Sequence, residues 1–288
     1  VALAVRFPKE PYTAAFITGF EEGAKNKGLN TIVKSVEKAD LYEDTIIDLL
    51  GHCDLILAES STIGPGTAQN DQTASDGYKI LDVRREPATP RWAVRPEMYE
   101  MQAKVLVEAL VASLPAKGER KVAVLFPGLA VMHHHVHECL LKPSKKITIV
   151  EELGNLSDPL RAKEGVADLF NRHPNLDGLL CLDPVVMAAT VDVVAQQGLT
   201  GKIRIVAFSP PRDAKAAIEN GAVSAVVSWN PKDLGYLAAC TAAAGLQGVE
   251  MKADSIDAGR LGKVKVAGIG LLGKLDTFTK DNISKADY

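Results

Sequence analysis

Apolar strand-like segments alternate with longer amphipathic segments along most of this chain, and this alternation constrains its fold more than any other feature. The strand-like segments are residues 1–7, 31–36, 54–58, 79–83, 121–126, 148–152, 178–182, 203–208 and 222–229. The helix candidates lie near residues 12–27, 41–50, 97–113, 135–141, 159–171, 185–197, 212–220 and 234–247. Continuous apolar strands separated by helices are typical of parallel sheets covered on both faces. The sequence therefore predicts an α/β fold.

The alternation occurs twice along the chain. About four βα units are followed by a junction near residues 87–96, and about four further units follow it. The polar stretch 60–76 fits a loop and a weak helix, and shorter β-like pieces replace a full βα unit after residue 247. A length of 288 residues is enough for about two domains. We therefore expect two doubly wound parallel-sheet lobes.

Charge and cysteine usage exclude several classes of protein. The formal net charge of −3 gives no basic footprint for nucleic acid. No apolar run approaches the roughly 18 residues that span a bilayer, so we expect a soluble mature chain, with any secretion signal removed or outside this sequence. Cys53, Cys139, Cys181 and Cys240 lie scattered in apolar stretches, which predicts buried free thiols rather than disulfides.

The local signatures of common enzyme classes are missing from the sequence. There is no GxSxG elbow, no GxxxxGK[ST] phosphate loop, no HExxH, and no GxGxxG after the first strand. A Gly-Ile-Gly at residues 268–270 lies outside any predicted βα unit. We therefore expect a protein that is not an enzyme and requires no cofactor.

Polar and aromatic residues follow most of the predicted strands, at the sheet edge where open α/β folds bind ligands. They are Phe7, Lys9 and Tyr12 after the first strand, Glu59 and Ser60 after the third, Arg84 and Glu86 after the fourth, Asp183 and Pro184 after the seventh, Ser209 after the eighth, and Trp229 and Asn230 after the ninth. Together they suit a small hydroxylated ligand. Taken singly, each fits a surface loop equally well, and Asp183 and Ser209 could cap the following helices.

Four histidines form the most unusual local feature, at His133, His134, His135 and His137. His133 and His137 would lie one helical turn apart, a spacing that can bind a transition metal, but no carboxylate or thiolate at ligand spacing completes a site. A second interpretation is a loop entering a helix with exposed imidazoles. The position just beyond a predicted strand favours a third, in which His133, His134 and His135 line a ligand site.

Motifs in the last third of the chain resemble those of a known family. They are WNPKDLGY at residues 229–236 and FTKDNI at residues 278–283. The segment HPNLDGLLCLDPVVMAA at residues 173–189 resembles a strand that delivers an aspartate to a ligand. With these motifs the chain is similar to the periplasmic sugar-binding proteins of bacterial ABC importers, which have a type I fold, and within them to the rhamnose-binding and autoinducer-2-binding branch.

The resemblance implies two lobes joined by a three-segment hinge near residues 87–94, 229–231 and 260–264. Residues 1–93 and 231–262 would form the N-terminal lobe, and residues 94–230 and 263–288 the C-terminal lobe. The lobes would close on a sugar or sugar-like ligand and deliver it to an ABC permease in the membrane. The resemblance also implies a periplasmic or other extracytoplasmic location, a monomer, and no nucleic-acid partner.

Some site positions match the family and others depart from it. Phe7-Pro8-Lys9 matches a first-strand motif whose lysine contacts the ligand, and Asp183 and Pro184 match ligand-contacting positions of the second lobe. Arg84 and its neighbours replace the family's Trp-Asp-Ser-Asp motif, and residues 133–137 replace an Asp/Asn-Gln-Asn-X-Trp segment. Cationic and donor-capable side chains in place of acceptors suit a carboxylated or phosphorylated sugar. An ordinary neutral sugar remains equally open.

Two other functions compete with solute binding. The ligand-sensing domain of a LacI-type transcriptional repressor has the same fold, but it would need a DNA-binding segment before residue 1. A sugar-modifying or metal-dependent enzyme centred on the histidines would need a nucleophile and a base, and the sequence offers no such pair.

Overall fold

The computed structural model describes residues 1–6, 11–36, 41–59, 66–83, 92–96, 99–116, 118–128, 131–142, 146–250, 253–267, 270–272, 274–286 and 288. Its strands are β1 (Ala2–Arg6), β2 (Ile32–Val36), β3 (Ile56–Glu59), β4 (Ile80–Val83), β5 (Ala93–Arg95), β6 (Arg120–Leu125), β7 (Ile147–Leu153), β8 (Gly178–Cys181), β9 (Arg204–Phe208), β10 (Ala225–Trp229), β11 (Ser255–Asp257), β12 (Lys263–Ala267), β13 (Gly270–Leu272) and β14 (Leu275–Phe278). Its helices are α1 (Pro11–Asn26), α2 (Tyr42–Leu49), α3 (Gly66–Ser75), α4 (Tyr99–Ser113), α5 (Val131–Leu140), α6 (Pro159–Arg172), α7 (Pro184–Gln196), α8 (Pro211–Glu219) and α9 (Pro231–Leu246).

The chain divides into two compact units. The first comprises Val1–Glu97 with Trp229–Lys274, and the second comprises Met98–Ser228 with Leu275–Tyr288. Among the described residues, no helix is both long and apolar enough to cross a membrane. The mixed α/β architecture with parallel sheets confirms the predicted fold class.

The first unit is built on a sheet of strand order β11-β12-β13-β5-β4-β3-β1-β2. The strands from β13 to β2 in this order pair in parallel, whereas β12 pairs antiparallel with both of its neighbours, β11 and β13. Alternate residues of β1 face opposite cores: Leu3 and Val5 pack with α1 and α9, and Ala2 and Ala4 pack with α2. Both faces of the central strands are therefore buried, as their continuous apolar sequences predict.

The second unit is built on a sheet of strand order β14-β10-β9-β8-β6-β7. Two apolar clusters cover its faces, one around α6 and α7 and the other around α4 and α5. The register between β6 and β7 shifts between Val122 and Ala123, so the edge strand β7 carries one extra residue there. Glu151 and Glu152, which follow this shift on β7, pair with groups on different helices, α6 and α5 respectively.

The boundaries of the two units differ from the predicted domain division. Residues 263–274 belong to the first unit, not the second, because β12 and β13 continue its sheet and β13 pairs with β5. The chain accordingly passes between units at 97/98, 228/229 and 274/275. The predicted third hinge segment, residues 260–264, lies inside the first unit. Such long-range strand pairing leaves no local signal in the sequence.

Helix α5 also begins earlier than predicted. The sequence predicts a helix that begins at residue 135, whereas in the structure α5 begins at Val131 and contains all four histidines. The interpretation of His133 and His134 as part of a loop was therefore wrong. No proline or glycine separates Val131 from Leu140, so the helix continues through the polar imidazoles to reach the buried positions Met132, Val136 and Leu140.

Helices α1 and α9 approach each other so closely that glycines are required at their contact. A Cβ atom added to Gly19 would lie 1.8 Å from the Lys232 carbonyl oxygen, and one added to Gly235 would lie 2.0 Å from the Phe16 carbonyl oxygen. Gly23 has a similar role, with 2.8 Å to the Tyr236 carbonyl oxygen. These distances are shorter than any that real Cβ atoms adopt, so a side chain at these positions forces the two backbones apart.

The native thiols are mostly inaccessible. All four cysteines are free; Cys139, Cys181 and Cys240 are buried, and Cys53 is partly exposed. Burial raises the pKa of the fully buried Cys181 to about 12, and it raises the pKa of Cys53 as well. The predicted free thiols are confirmed, and only the burial of Cys53 is incomplete.

Substitution of Gly235 by alanine tests the helix contact. We expect Gly235→Ala to lower the free energy of unfolding by about 2–3 kcal/mol, because the added methyl overlaps backbone that cannot rotate away. Gly245→Ala is the matched control on the same helix, since its Cβ would meet Trp92 at an ordinary 3.6 Å. The control should be neutral or more stable by up to about 1 kcal/mol. Urea unfolding followed by circular dichroism measures both, and equal stabilities would contradict the contact.

Thiol titration tests the burial of the cysteines. At pH 8 a disulfide-exchange reagent should modify Cys53 slowly and leave the other three cysteines unmodified, because reaction requires an accessible thiolate. Denaturation should release four thiols. Cys53→Ser should abolish the slow native phase, and rapid modification of Cys181 in the folded protein would show that the core is not packed as described.

Candidate functional site

Five of the predicted site residues lie outside the described residues. They are Phe7, Lys9, Ser60, Arg84 and Glu86. The others are described, and they are distributed over both units at the carboxyl ends of strands or at the starts of the helices that follow.

Glu59 ends β3 in the first unit and is 6% exposed. Its Oε2 accepts a hydrogen bond from the Arg6 backbone N–H at 3.0 Å, which joins the ends of β1 and β3. The Arg6 guanidinium lies 5.4 Å from the ring centroid of Tyr42. Burial, and after it the charge of Glu59, raises the pKa of the Tyr42 hydroxyl well above its ordinary value. Glu59 therefore acts mainly as an internal acceptor.

Tyr12, Trp229 and Asn230 come together in the first unit from distant parts of the chain. The rings of Tyr12, in the first turn of α1, and Trp229, at the end of β10, meet edge to face with 6.5 Å between centroids. Asn230 caps α9, because its Oδ1 accepts hydrogen bonds from the backbone N–H groups of Lys232 and Asp233 at 2.9 and 3.2 Å. The close packing of α1 on α9 places both aromatic rings at the same end of the unit.

A buried polar pair in the first unit was missed by the sequence analysis. Asn70 of α3 donates from Nδ2 to Oδ1 of Asp82, in β4, at 3.1 Å, and both residues are fully buried. The sequence of α3, GTAQNDQTAS, contains no large apolar residue, so this pair and the buried Thr73 attach α3 to the sheet. Because the sequence of α3 contains only small and polar residues, it does not indicate which side chains face the sheet.

Asp183 and Pro184 start α7 in the second unit. Asp183 Oδ1 accepts hydrogen bonds from the N–H groups of Val185 and Val186 at 2.8 and 3.3 Å, so the capping role is confirmed. Ser209 does not cap α8, whose capping position is Pro210. The Ser209 hydroxyl instead donates to the Pro210 carbonyl at 3.3 Å, and the residue is 1% exposed.

The His133 ring stacks on Phe126, which follows β6. The ring centroids are 4.1 Å apart and the planes differ by 21°. Phe126 also lies against Gly154, where an added Cβ would lie 2.6 Å from the phenyl ring. A side chain at residue 154 would therefore require Phe126, and with it the stack on His133, to shift.

Two glutamates lie close to the four histidines of α5. Glu152 Oε1, from β7, lies 2.8 Å from His137 Nδ1 and 3.1 Å from His133 Nε2. Glu138, on α5 itself, lies 3.6 Å from His134 Nε2 and 4.0 Å from His135 Nδ1. Among the described residues, no group of three or more histidine, cysteine or acidic side chains has a geometry that could hold a metal ion.

The chain is similar to proteins of one family and one fold. Residues 1–250 match the family model described as a periplasmic binding protein domain. A curated relative, the D-allose-binding periplasmic protein of Escherichia coli (strain K12), is 27% identical over 94 residues, which is 33% of this chain and 30% of the relative. This match therefore spans about a third of the relative's length.

Solved structures of similar fold cover nearly the whole chain. A sugar ABC transporter protein from Actinomyces odontolyticus has a TM-score of 0.84 at 18% identity, covering 100% of this chain and 97% of that one. A periplasmic ribose ABC transporter protein from Conexibacter woesei has a TM-score of 0.81 at 12% identity, with 99% and 93% covered. LsrB from Clostridium saccharobutylicum, in complex with AI-2, has a TM-score of 0.73 at 15% identity, with both chains fully covered.

Variants at Asp183 separate capping from charge. Asp183→Ala should lower the free energy of unfolding by about 1 kcal/mol, because two N–H groups of α7 lose their acceptor. Asp183→Asn should stay within a few tenths of a kcal/mol of the wild type, since an amide oxygen caps as well as a carboxylate. Urea unfolding measures both, and a loss for Asp183→Asn as large as that for Asp183→Ala would contradict the capping assignment.

Proposed function

We propose, from the premise that this chain belongs to the periplasmic binding protein domain family, that it captures a small sugar-like solute and passes it unchanged to an ABC permease in the membrane. The observation that carries the proposal is the family match over residues 1–250. The aromatic, carboxylate and imidazole groups at the strand ends of each unit support it, because they are the groups that bind hydroxylated ligands.

The proposed mechanism is capture by closure rather than bond chemistry. In this mechanism the ligand binds the closed conformation better than the open one, and this difference in affinity shifts the population towards the closed form. The permease would then recognise the closed form. The similar solved structures are described as ABC transporter proteins and the curated relative as a binding protein, so we assign no catalytic activity.

The described residues suggest a division of roles at the ligand. In the first unit, the partly buried rings of Tyr12 and Trp229 offer an apolar face to a sugar ring. In the second unit, both capping bonds of Asp183 use Oδ1, which leaves Oδ2 to accept from a ligand hydroxyl. Glu59 and Ser209 are buried in internal contacts and would act by supporting the strand ends.

The ligand class is proposed as a sugar or a sugar-like molecule. The curated relative is named for D-allose, and structural neighbours are described with ribose, L-rhamnose and AI-2. The cationic positions that favour an acid, Lys9 and Arg84, lie outside the described residues. Both neutral sugars and sugar acids therefore belong in a binding test.

The other partners follow from the same assignment. We propose an extracytoplasmic, periplasmic location, a monomer, and no nucleic-acid partner, consistent with the net charge of −3. The ligand-sensing domain of a LacI-type repressor is not favoured, since the similar solved structures are described as ABC transporter proteins.

Calorimetric titration with a panel of ligands tests the proposal. The panel contains D-allose, L-rhamnose, D-ribose and the corresponding aldonates, and at least one should bind with a dissociation constant in or below the micromolar range and be recovered unchanged. Asp183→Asn should weaken binding roughly tenfold, because a ligand hydroxyl forms a stronger hydrogen bond to a carboxylate than to an amide oxygen.

Asp158→Asn is the matched control for that variant. Asp158 caps α6 as Asp183 caps α7, with its Oδ1 accepting from the Arg161 N–H at 2.9 Å, but it is not a predicted ligand residue. Its substitution should leave affinity unchanged. Failure of every panel member to bind, or recovery of a chemically altered ligand, would overturn the proposed function.

A further inference from the structure

One carboxylate oxygen serves two histidines in the second unit. Glu152 Oε1 lies 2.8 Å from His137 Nδ1 and 3.1 Å from His133 Nε2. The side chains of Glu152 and His133 are only about a quarter exposed, at 25% and 26%. An ionised carboxylate can only accept hydrogen bonds, so each nitrogen that faces it is the one that carries a proton.

This rule decides the tautomer of His137. Its Nδ1 forms a hydrogen bond with Glu152 Oε1, so the proton of the neutral ring resides on Nδ1. The other nitrogen, Nε2, then has a lone pair and can only accept. The free side of the His137 ring is therefore an acceptor.

His133 is constrained in a different way. Its ring stacks on Phe126, which in turn covers Gly154, so rotation of the imidazole is restricted. Nε2 lies 3.1 Å from the shared oxygen, but the contact is not a well-directed hydrogen bond. Electrostatic attraction still favours the proton on Nε2, which leaves Nδ1 as the acceptor. We therefore expect the effect at His133 to be weaker than at His137.

We infer that Glu152 is a positioning residue that fixes the tautomers of His133 and His137, so that α5 offers lone pairs rather than protons to a ligand. This inference rests on the proposed function for its consequence, namely that the ligand donates hydroxyl protons to this segment. Glu138 adds a second negative charge near the segment, since it lies within 4.0 Å of both His134 and His135. With neutral imidazoles, the segment and its two glutamates carry negative charge, which disfavours a carboxylated or phosphorylated ligand.

Nitrogen NMR of the ligand-free protein tests the tautomers directly. Long-range proton–nitrogen correlation spectra of the ¹⁵N-histidine-labelled chain are recorded above the pH range in which histidines titrate, with assignment by His133→Gln and His137→Gln. His137 should show a pyrrole-like Nδ1 and a pyridine-like Nε2, and His133 the reverse. A pyridine-like Nδ1 at His137 in the wild-type protein would overturn the inference, and the variants are needed only to assign the signals.

Removal of the carboxylate tests whether Glu152 is the cause. Glu152→Met replaces it by a side chain of similar length that cannot accept strongly, and His137 should then shift towards the ordinary mixture of tautomers. Glu138→Met is the matched control on α5 and should leave His133 and His137 unchanged. Unchanged signals at His137 in Glu152→Met would refute the positioning role, and a melting curve confirms that the variant is folded.

A selectivity measurement links the tautomers to the ligand. With L-rhamnose and L-rhamnonate as probes, Glu152→Met should raise the affinity for the acid relative to the sugar by roughly tenfold, because a negative charge and two fixed acceptors are lost. An unchanged ratio would refute the consequence for the ligand. If neither probe binds, the ratio is measured with the sugar of the panel that does bind and its aldonate. Failure of the whole panel overturns the proposed function, while the tautomer spectra still decide whether Glu152 positions the histidines.

Discussion

The contact between α1 and α9 is the constraint on which the first unit depends. Gly19 and Gly235 bring backbone against backbone, with distances that no side chain permits. The contact packs α9, which follows β10, against α1 near the beginning of the chain. Helix α9 thus completes the core of the first unit, although it lies more than two hundred residues from α1 in sequence. It also carries Tyr12 and Trp229 to the same end of the unit. The candidate ligand groups there are thus a consequence of helix packing.

The strand ends combine two tasks in the same side chains. Asp183 and Asn230 each cap the helix that follows a strand, and each was also a predicted ligand residue. These tasks are compatible because capping uses only Oδ1 in each residue, which leaves Oδ2 of Asp183 to accept a hydrogen bond and Nδ2 of Asn230 to donate one. For Glu59 and Ser209 the structural task uses most of the side chain, and burial leaves them a supporting role. Residue type and position after a strand do not distinguish these cases; only the hydrogen-bond partners do.

Sequence periodicity predicted β1–β4, β6–β10 and most helices, because apolar spacing is a local property. It placed β5 in a junction and gave the strands after residue 247 only as short β-like pieces. It could not predict that residues 263–274 complete the first sheet, since this pairing depends on β5, which lies about 170 residues earlier. It also missed the Asn70–Asp82 pair and the role of Glu152. In each case the deciding partner lies on another element, so nothing near the residue itself identifies it. The family resemblance supplied what local pattern could not, namely the kind of ligand to expect.

The two consecutive glutamates of β7 have an effect beyond the groups they contact. Glu151 pairs with Arg172 and His173 of the α6 end, and the hydrogen bond from Arg172 lowers the pKa of this carboxyl. Glu152 pairs with α5. Strand β7 lies at the edge of its sheet, and its two consecutive acidic residues, Glu151 and Glu152, already form ion pairs. A strand of another molecule that approached this edge would encounter charged side chains as well as unpaired backbone groups. These charges disfavour aggregation by strand addition.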